Sequence, residues 1–353
     1  MNIHSHRIPR FVAAAATTVM LVLSAACGTS SNGEDEKKSE AVTGPITVVA
    51  SVNQWGSLAE QIGGDDVQVT SILSSTGVDA HDFEPKTSDL AKLQKAQVVV
   101  SNGAGYDSWA TKTLGRNAIG VSAAQTVGAM EGDNPHLWFS KDARNGMATE
   151  LTEAFSKLLP AKKKAFQSRL RAWKTAEGKV EQAMDEFTKD HDGATYAATE
   201  PVVYYLMADM GFDDVTPKGY ASSAAAEGEP APADLQKFQS LIEAKDIDVL
   251  VNNTQEASDA SNMLTGTAHR SDVPVFDVSE QLPDKYDSLT DWIAALVEEL
   301  DAAMDKEDET DGDTTDDSAN DNADGDGASS DNATSDDAQS GNTTSDDAAT
   351  SSN

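Results

Sequence analysis

Two histidines stand in stretches whose neighbours suit metal chemistry. His81 lies in Val78-Asp79-Ala80-His81-Asp82-Phe83-Glu84-Pro85, after an alternating apolar run over 67–73 and a short Ser/Thr/Gly turn. That order places the imidazole just past a strand, in the crevice where open α/β sheets hold their ligands. Asp79, Asp82 and Glu84 flank it, close enough in sequence to fix a ring tautomer. Taken alone, the stretch also reads as a surface histidine in an acidic loop. His136 sits in Asn134-Pro135-His136-Leu137-Trp138-Phe139, between a proline and apolar bulk. Glu200 falls in Thr199-Glu200-Pro201-Val202-Val203, between an apolar strand and a proline-started helix. Its carboxylate would reach the same kind of crevice; the other reading is helix-start chemistry, since acids favour a first turn.

These loops need elements to hold them, and hydrophobic periodicity supplies those elements. Residues 46–51 read as a buried strand and 55–62 as a helix stopped by Gly63-Gly64, glycine being the usual residue past a helix end. A strand over 67–73 precedes the His81 loop, and 87–93 reads as a capped helix with Leu90, Leu93 and Ala96 inward. The strand over 97–101 is apolar without alternation, which implies a sheet covered on both faces. The region 143–189 is helical and interrupted at Leu159-Pro160, so one helix ends near 158 and a second covers 161–189. Phe166, Leu170, Trp173, Val180, Met184 and Phe187 form its apolar stripe, read as packing. At ~1.5 Å per residue this helix would be about 40 Å long, enough to bridge two lobes.

A second lobe repeats the grammar. A strand over 194–198, a helix over 202–210 ended by Gly211, a helix over 235–244, and strands over 248–251 and 273–278 lead to a closing helix over 289–304. Trp292, Leu296 and Leu300 form the inner face of that helix. The expected fold class is α/β, with two lobes that each carry a mostly parallel sheet flanked by helices.

The two histidine stretches resemble the metal-binding lipoproteins that feed zinc or manganese to bacterial ABC importers. Ala80-His81-Asp82-Phe83-Glu84-Pro85 is similar to that family's "(A/P)H-x-(Y/F)-E-P" loop, and Asn134-Pro135-His136-Leu137-Trp138 to its "(D/N)PHxW" loop. Asn102-Gly103-Ala104-Gly105-Tyr106-Asp107 is similar to the segment between them. The resemblance runs from about residue 46 to about 302. It implies one long helix joining the lobes and a metal site in the cleft between them. His81 and His136 would be the first two ligands, and Glu200 the third, where zinc-type members carry histidine. The fourth would be a carboxylate just after the last strand; Glu280 is preferred, with Asp277 the alternative because it falls within the strand. His191 and His269 match no ligand position. Zinc-type members often carry a His-rich loop, and 123–133 contains no histidine. Two imidazoles and two carboxylates make a hard donor set, which favours Mn2+ as bound cargo with Zn2+ close behind.

Composition and termini set the compartment. The formal net charge of the 353 residues is −34, and acids crowd the segment after Asp301, where Lys306 is the one basic residue. No basic patch is left that could hold nucleic acid. His4, His6, Arg7 and Arg10 precede an apolar run over 11–23 and small residues leading to Cys27, the single cysteine. This is a secretory signal. Leu23-Ser24-Ala25-Ala26-Cys27 resembles a lipobox, except that Ser24 stands where leucine is usual; soluble secretion with nearby cleavage is the alternative. The organisation expected is a lipoprotein signal peptide over 1–27 ending at lipidated Cys27, a flexible tether over 28–43, a metal-binding lobe over 44–158, a linking helix over 159–190, a second lobe over 191–304 and a disordered acidic tail over 305–353. The expected partners are a membrane permease of a metal ABC importer and the membrane itself, reached through the anchor at its outer face. The chain is expected to be a monomer. A secreted metallohydrolase would need an open coordination position and a general base, and no His-Glu-x-x-His helix is present. No enzyme is therefore expected. A metal-binding surface adhesin is the remaining alternative.

Overall fold

A computed structural model describes residues 44–78, 80, 83–226 and 228–311, with the backbone alone for 306–311. The expected leader, Cys27, the tether, the tail beyond 311 and His81 lie outside the described residues.

The first lobe comprises β1 (Ile46–Val52), α1 (Asn53–Gly63), β2 (Val67–Leu73), α2 (Thr87–Lys95), β3 (Val98–Ser101), α3 (Ser108–Thr111), β4 (Ile119–Ser122), α4 (Ala123–Val127) and α5 (Lys141–Leu158). Its strands form a parallel sheet of order β2-β1-β3-β4. Ile46, Val48, Ala50, Val52, Val98, Val99 and Val100 are wholly buried, as the unalternating runs require of strands covered on both faces. Gly64 ends α1 with φ 52°, a conformation that favours glycine.

A 3-10 turn at Pro160–Lys162 leads into α6 (Lys163–Asp190), the long helix. Its 28 residues span about 42 Å. It starts two residues later than the sequence suggests because Pro160 opens the tighter turn first. Phe166, Trp173, Val180, Met184 and Phe187 are buried along it, and Leu170 is half-buried.

The second lobe comprises β5 (Thr195–Ala198), α7 (Tyr204–Asp209), β6 (Asp213–Asp214), α8 (Lys218–Ala224), α9 (Pro232–Glu243), β7 (Val249–Asn253), α10 (Asp259–Arg270), β8 (Val275–Val278) and α11 (Leu289–Asp311). Its sheet is parallel, in the order β6-β5-β7-β8. Most boundaries differ from expectation by one to three residues, and three differences have a local cause. The helix expected from 202 begins at Tyr204, because Val202 N–H donates to Glu200 O at 2.8 Å and Tyr204 N–H to Pro201 O at 3.4 Å, making a turn first. The strand expected from 273 begins at Val275, since Pro274 has no N–H for the ladder, although its carbonyl accepts from Leu250 at 2.9 Å. The closing helix continues to Asp311 rather than stopping at 304. The segment Asp305-Lys306-Glu307-Asp308-Glu309 contains good helix formers, and no glycine or proline intervenes before Gly312. Residues 305–311 are therefore helix and not part of a structureless tail.

One apolar core runs through both lobes. It includes β1, β3, α1, α5 and α6 residues together with Tyr196, Val249, Val251, Trp292, Leu296 and Leu300. Phe139 of the first lobe packs on Trp292 of α11 with ring centroids 5.2 Å apart. Leu289 N–H donates to Ser57 Oγ at 3.0 Å across the same seam. A shared apolar interface of this kind resists free swinging of one lobe against the other.

Candidate metal centre

Each sheet changes winding direction between its two central strands, β1/β3 in one and β5/β7 in the other. Loops leaving the carboxyl ends of such strands line a crevice. The two crevices face one another: Asn53 and Gln54, just after β1, hold the loop that follows β8. Asn53 Nδ2 donates to Leu282 O at 2.7 Å, Leu282 N–H to Asn53 Oδ1 at 3.1 Å, and Gln54 Nε2 to Glu280 O at 2.5 Å.

His136 is 2% exposed, and its loop is fastened from several sides. Asn102, at the end of β3, accepts from Trp55 Nε1 at 3.0 Å and donates to Pro135 O at 2.7 Å. Asp107 accepts from the backbone N–H of Asn102 and of Gly103, at 2.6 and 2.8 Å, and so shapes that turn; burial raises the Asp107 pKa. Gly103 has φ 83°, and a Cβ there would lie 2.6 Å from that of Ala124, so the turn requires glycine. Asn134 Nδ2 donates to Pro201 O at 2.7 Å and Tyr205 Oη to Asn134 O at 2.9 Å, joining the His136 loop to the second lobe.

The His136 ring is set for one task. Nδ1 lies 3.0 Å from Asn134 Oδ1, an acceptor that calls for the Nδ1–H tautomer and leaves a lone pair on Nε2. Nε2 is buried and has no hydrogen-bond partner among the described residues. It faces Glu200 Oε1 at 4.0 Å and Glu280 Oε2 at 3.8 Å. Ligand atoms of these three side chains lie within 4.8 Å of one another. Donors around a metal at ~2.0–2.2 Å bonds would approach one another a little more closely, so small side-chain motions suffice.

Glu200 is presented by the turn between β5 and α7, not by a helix first turn, since the helix begins four residues later. Glu280 lies past the end of β8 and is 1% exposed. Asp277 lies within β8 and is exposed, and it accepts from Asn252 Nδ2 at 2.7 Å. The structure brings Glu280, not Asp277, to His136. Strand alternation explains the difference: Val278 points inward, so its neighbour points out. His269 is exposed on α10. His191 Nε2, at the end of α6, lies 3.3 Å from Asp301 and 3.9 Å from Asp305, whose side chains are 53% and 72% exposed.

Two residues without an assigned role in the sequence support the carboxylates. Asn253 Nδ2 donates to Glu200 Oε2 at 2.5 Å and to Glu280 Oε1 at 3.2 Å. Tyr106 Oη donates to Glu280 Oε2 at 2.7 Å. Burial first, and then the Glu280 charge, hold the Tyr106 pKa well above the usual phenol range, so it stays a donor. A cleft of about 460 Å³, lined by Glu200, Tyr220, Glu229, Gln255 and Glu256 among others, opens beside Glu200.

With this geometry in place, comparison with known proteins decides the family. The family model for zinc-uptake complex component A, periplasmic (ZnuA) matches residues 48–303. The chain belongs to the ZnuA family. The manganese-binding lipoprotein MntA of Bacillus subtilis (strain 168) is 30% identical over 159 residues, covering 42% of this chain and 50% of MntA. The high-affinity zinc uptake system protein ZnuA of the same organism is 22% identical over 249 residues, covering 64% of this chain and 75% of that protein. At 30% identity, the chain spans about half the length of the curated relatives it matches. The periplasmic zinc-binding protein TroA from Treponema pallidum superposes with a TM-score of 0.63 at 17% identity, covering 74% of this chain and 99% of TroA. ZnuA-family architecture thus accounts for the two parallel sheets and the long helix.

Proposed function

We propose that this protein is an extracytoplasmic solute-binding lipoprotein that captures Mn2+ or Zn2+ as cargo and delivers it to the permease of an ABC importer. One observation carries the reading: a buried imidazole, whose Nε2 has no hydrogen-bond partner among the described residues, faces two carboxylates drawn from separate loops of the other lobe. Buried polar groups are rarely left unmatched unless a ligand or water completes them. His136, Glu200 and Glu280 would hold the ion, with His81 as the fourth donor that a closed site requires. The relatives' names, manganese-binding for MntA and zinc uptake for ZnuA, support both ions as cargo. Two carboxylates make the set harder than three imidazoles and one carboxylate, which suits manganese. The affinity series still makes zinc the tighter ion at almost any such site.

Titration of metal-free protein with each ion tests the reading, and tight uptake of a single ion per chain is expected. Absence of binding by both ions would overturn it. Glu200→His, which exchanges an anionic oxygen for a neutral nitrogen, is expected to raise the Zn2+/Mn2+ affinity ratio by about tenfold. An unchanged ratio, together with unchanged affinities in Glu200→Ala, would mean that Glu200 has only a turn-forming part. The anchor is assigned to Cys27. Cys27→Ser is expected to move the protein from the membrane fraction to the medium with metal affinity intact; full membrane retention would exclude lipidation there.

A further inference from the structure

Asn253 closes β7 and is 2% exposed. Its amide orientation is fixed, because Gln255 N–H donates to Oδ1 at 3.0 Å and leaves Nδ2 directed at the carboxylates. Nδ2 bonds Oε2 of Glu200 and Oε1 of Glu280. The opposite oxygens, Oε1 of Glu200 and Oε2 of Glu280, are the ones that face His136 Nε2. A single amide therefore divides both carboxylates in the same sense: the oxygen it holds is not the one that faces the imidazole, and in Glu280 the facing oxygen is aimed by Tyr106 Oη, which donates to it at 2.7 Å. The second N–H also lets one group serve two like charges, easing their mutual repulsion.

We propose that Asn253 is a specificity-determining positioning residue that keeps Glu200 and Glu280 as one-oxygen ligands and so holds the bound ion at low coordination number. The inference rests on the metal-binding reading above and deepens it. A free carboxylate can bind through one or two oxygens, and ions that favour oxygen-rich octahedral shells gain from the second. Held to one oxygen each, Glu200 and Glu280 bring two donors rather than four beside His136, which suits the four-donor shell that zinc takes in closed sites. Asn253 thus works against the manganese preference that carboxylate donors create and moves the site toward zinc. Nothing in the local sequence marks this role, since the residue simply ends an apolar strand.

The test uses metal-free wild type, Asn253→Ala and Asn253→Ser, titrated competitively with Zn2+ and Mn2+. Co2+ is added as a spectroscopic probe, because its visible absorption is intense in tetrahedral sites and weak in octahedral ones. The Zn2+/Mn2+ affinity ratio is expected to fall about tenfold in Asn253→Ala, the scale of loss typical when a group orienting a metal ligand is removed. A smaller fall is expected in Asn253→Ser, whose hydroxyl has one proton to give. The intense Co2+ band of the wild type should fade in step. Equal weakening of both ions, with an unchanged ratio and unchanged Co2+ band, would overturn the proposal and leave Asn253 a structural residue. An octahedral Co2+ spectrum in the wild type would overturn it without any variant having to fold. Failure of the wild type to bind all three ions would remove the metal-binding reading itself, a separate and recognisable result.

Discussion

His136→Ala is expected to lose tight metal binding by ~100- to 1000-fold while the protein remains folded. The magnitude follows from sharing a structural zinc binding energy of ~10–16 kcal/mol among about four donors, which gives roughly 2.5–4 kcal/mol each. His136 should lie at the full value because its geometry is prepaid by the fold. Asn134 fixes the tautomer, and the ring is edge-on to Trp138 at 5.4 Å and to Tyr106 at 6.2 Å. Water filling the gap would replace the donor only in part. His81→Ala is expected to lose a similar amount, on the strength of the loop resemblance. His269→Ala should change nothing, since that ring is exposed on α10. Competitive titration gives the affinities, and a thermal melt checks that each variant is folded. An affinity for His136→Ala within about threefold of wild type, or a loss in His269→Ala of similar size, would refute the ligand assignment.

The chain disclosed its scaffold through periodicity and its site through loop chemistry, but unequally. The apolar runs of β1, β3 and β7 and the stripe of α6 are long and strongly patterned, so their element types can be read directly. By contrast β4, β6, α8 and α10 escape notice. β4 and β6 have 4 and 2 residues, too short for a period to register. α10 carries polar residues around most of its circumference and starts from a Ser258 cap whose partner is Ser261 rather than an acid, outside the usual signature. Within the site, His136 and the turn that presents Glu200 are legible because a proline and apolar bulk mark each loop. Glu280 emerges over Asp277 only from counting past the end of β8. Asn253 and Tyr106 are not legible, because their importance lies in what they touch across the cleft. Tyr106 is 174 residues from Glu280 in sequence. Such pairings depend on how the two sheets oppose one another, which no local pattern encodes.

Arg144→Met is expected to destabilise the protein by about 3–5 kcal/mol, the usual cost of removing one partner from a buried ion pair. Arg144 Nε lies 2.6 Å from Glu177 Oε1, and both side chains are fully buried. The pair fastens α5 to α6, and Thr290 Oγ1 on α11 donates to the other Glu177 oxygen at 3.3 Å. Without the guanidinium, the Glu177 carboxyl would be left in the core without its ion-pair partner. For a folded region of this size the loss corresponds to a fall of roughly 10 °C in Tm. Replacing both partners, Arg144→Met with Glu177→Met, should recover most of the stability, because apolar side chains of similar volume avoid the desolvation cost. Metal affinity should not recover with it. Arg144 Nη1 also donates to Trp138 O at 3.2 Å, two residues beyond His136, and that anchor is absent from both variants. A reduction of about tenfold in affinity is expected in each, the size typical of losing a group that orients a metal ligand. Denaturant titration and metal competition on the same three proteins measure the two effects separately. If the double variant proved as unstable as the single one, the Trp138 contact rather than the ion pair would be what holds α5 in place; if affinity returned along with stability, Arg144 would be a scaffold residue with no part in positioning His136.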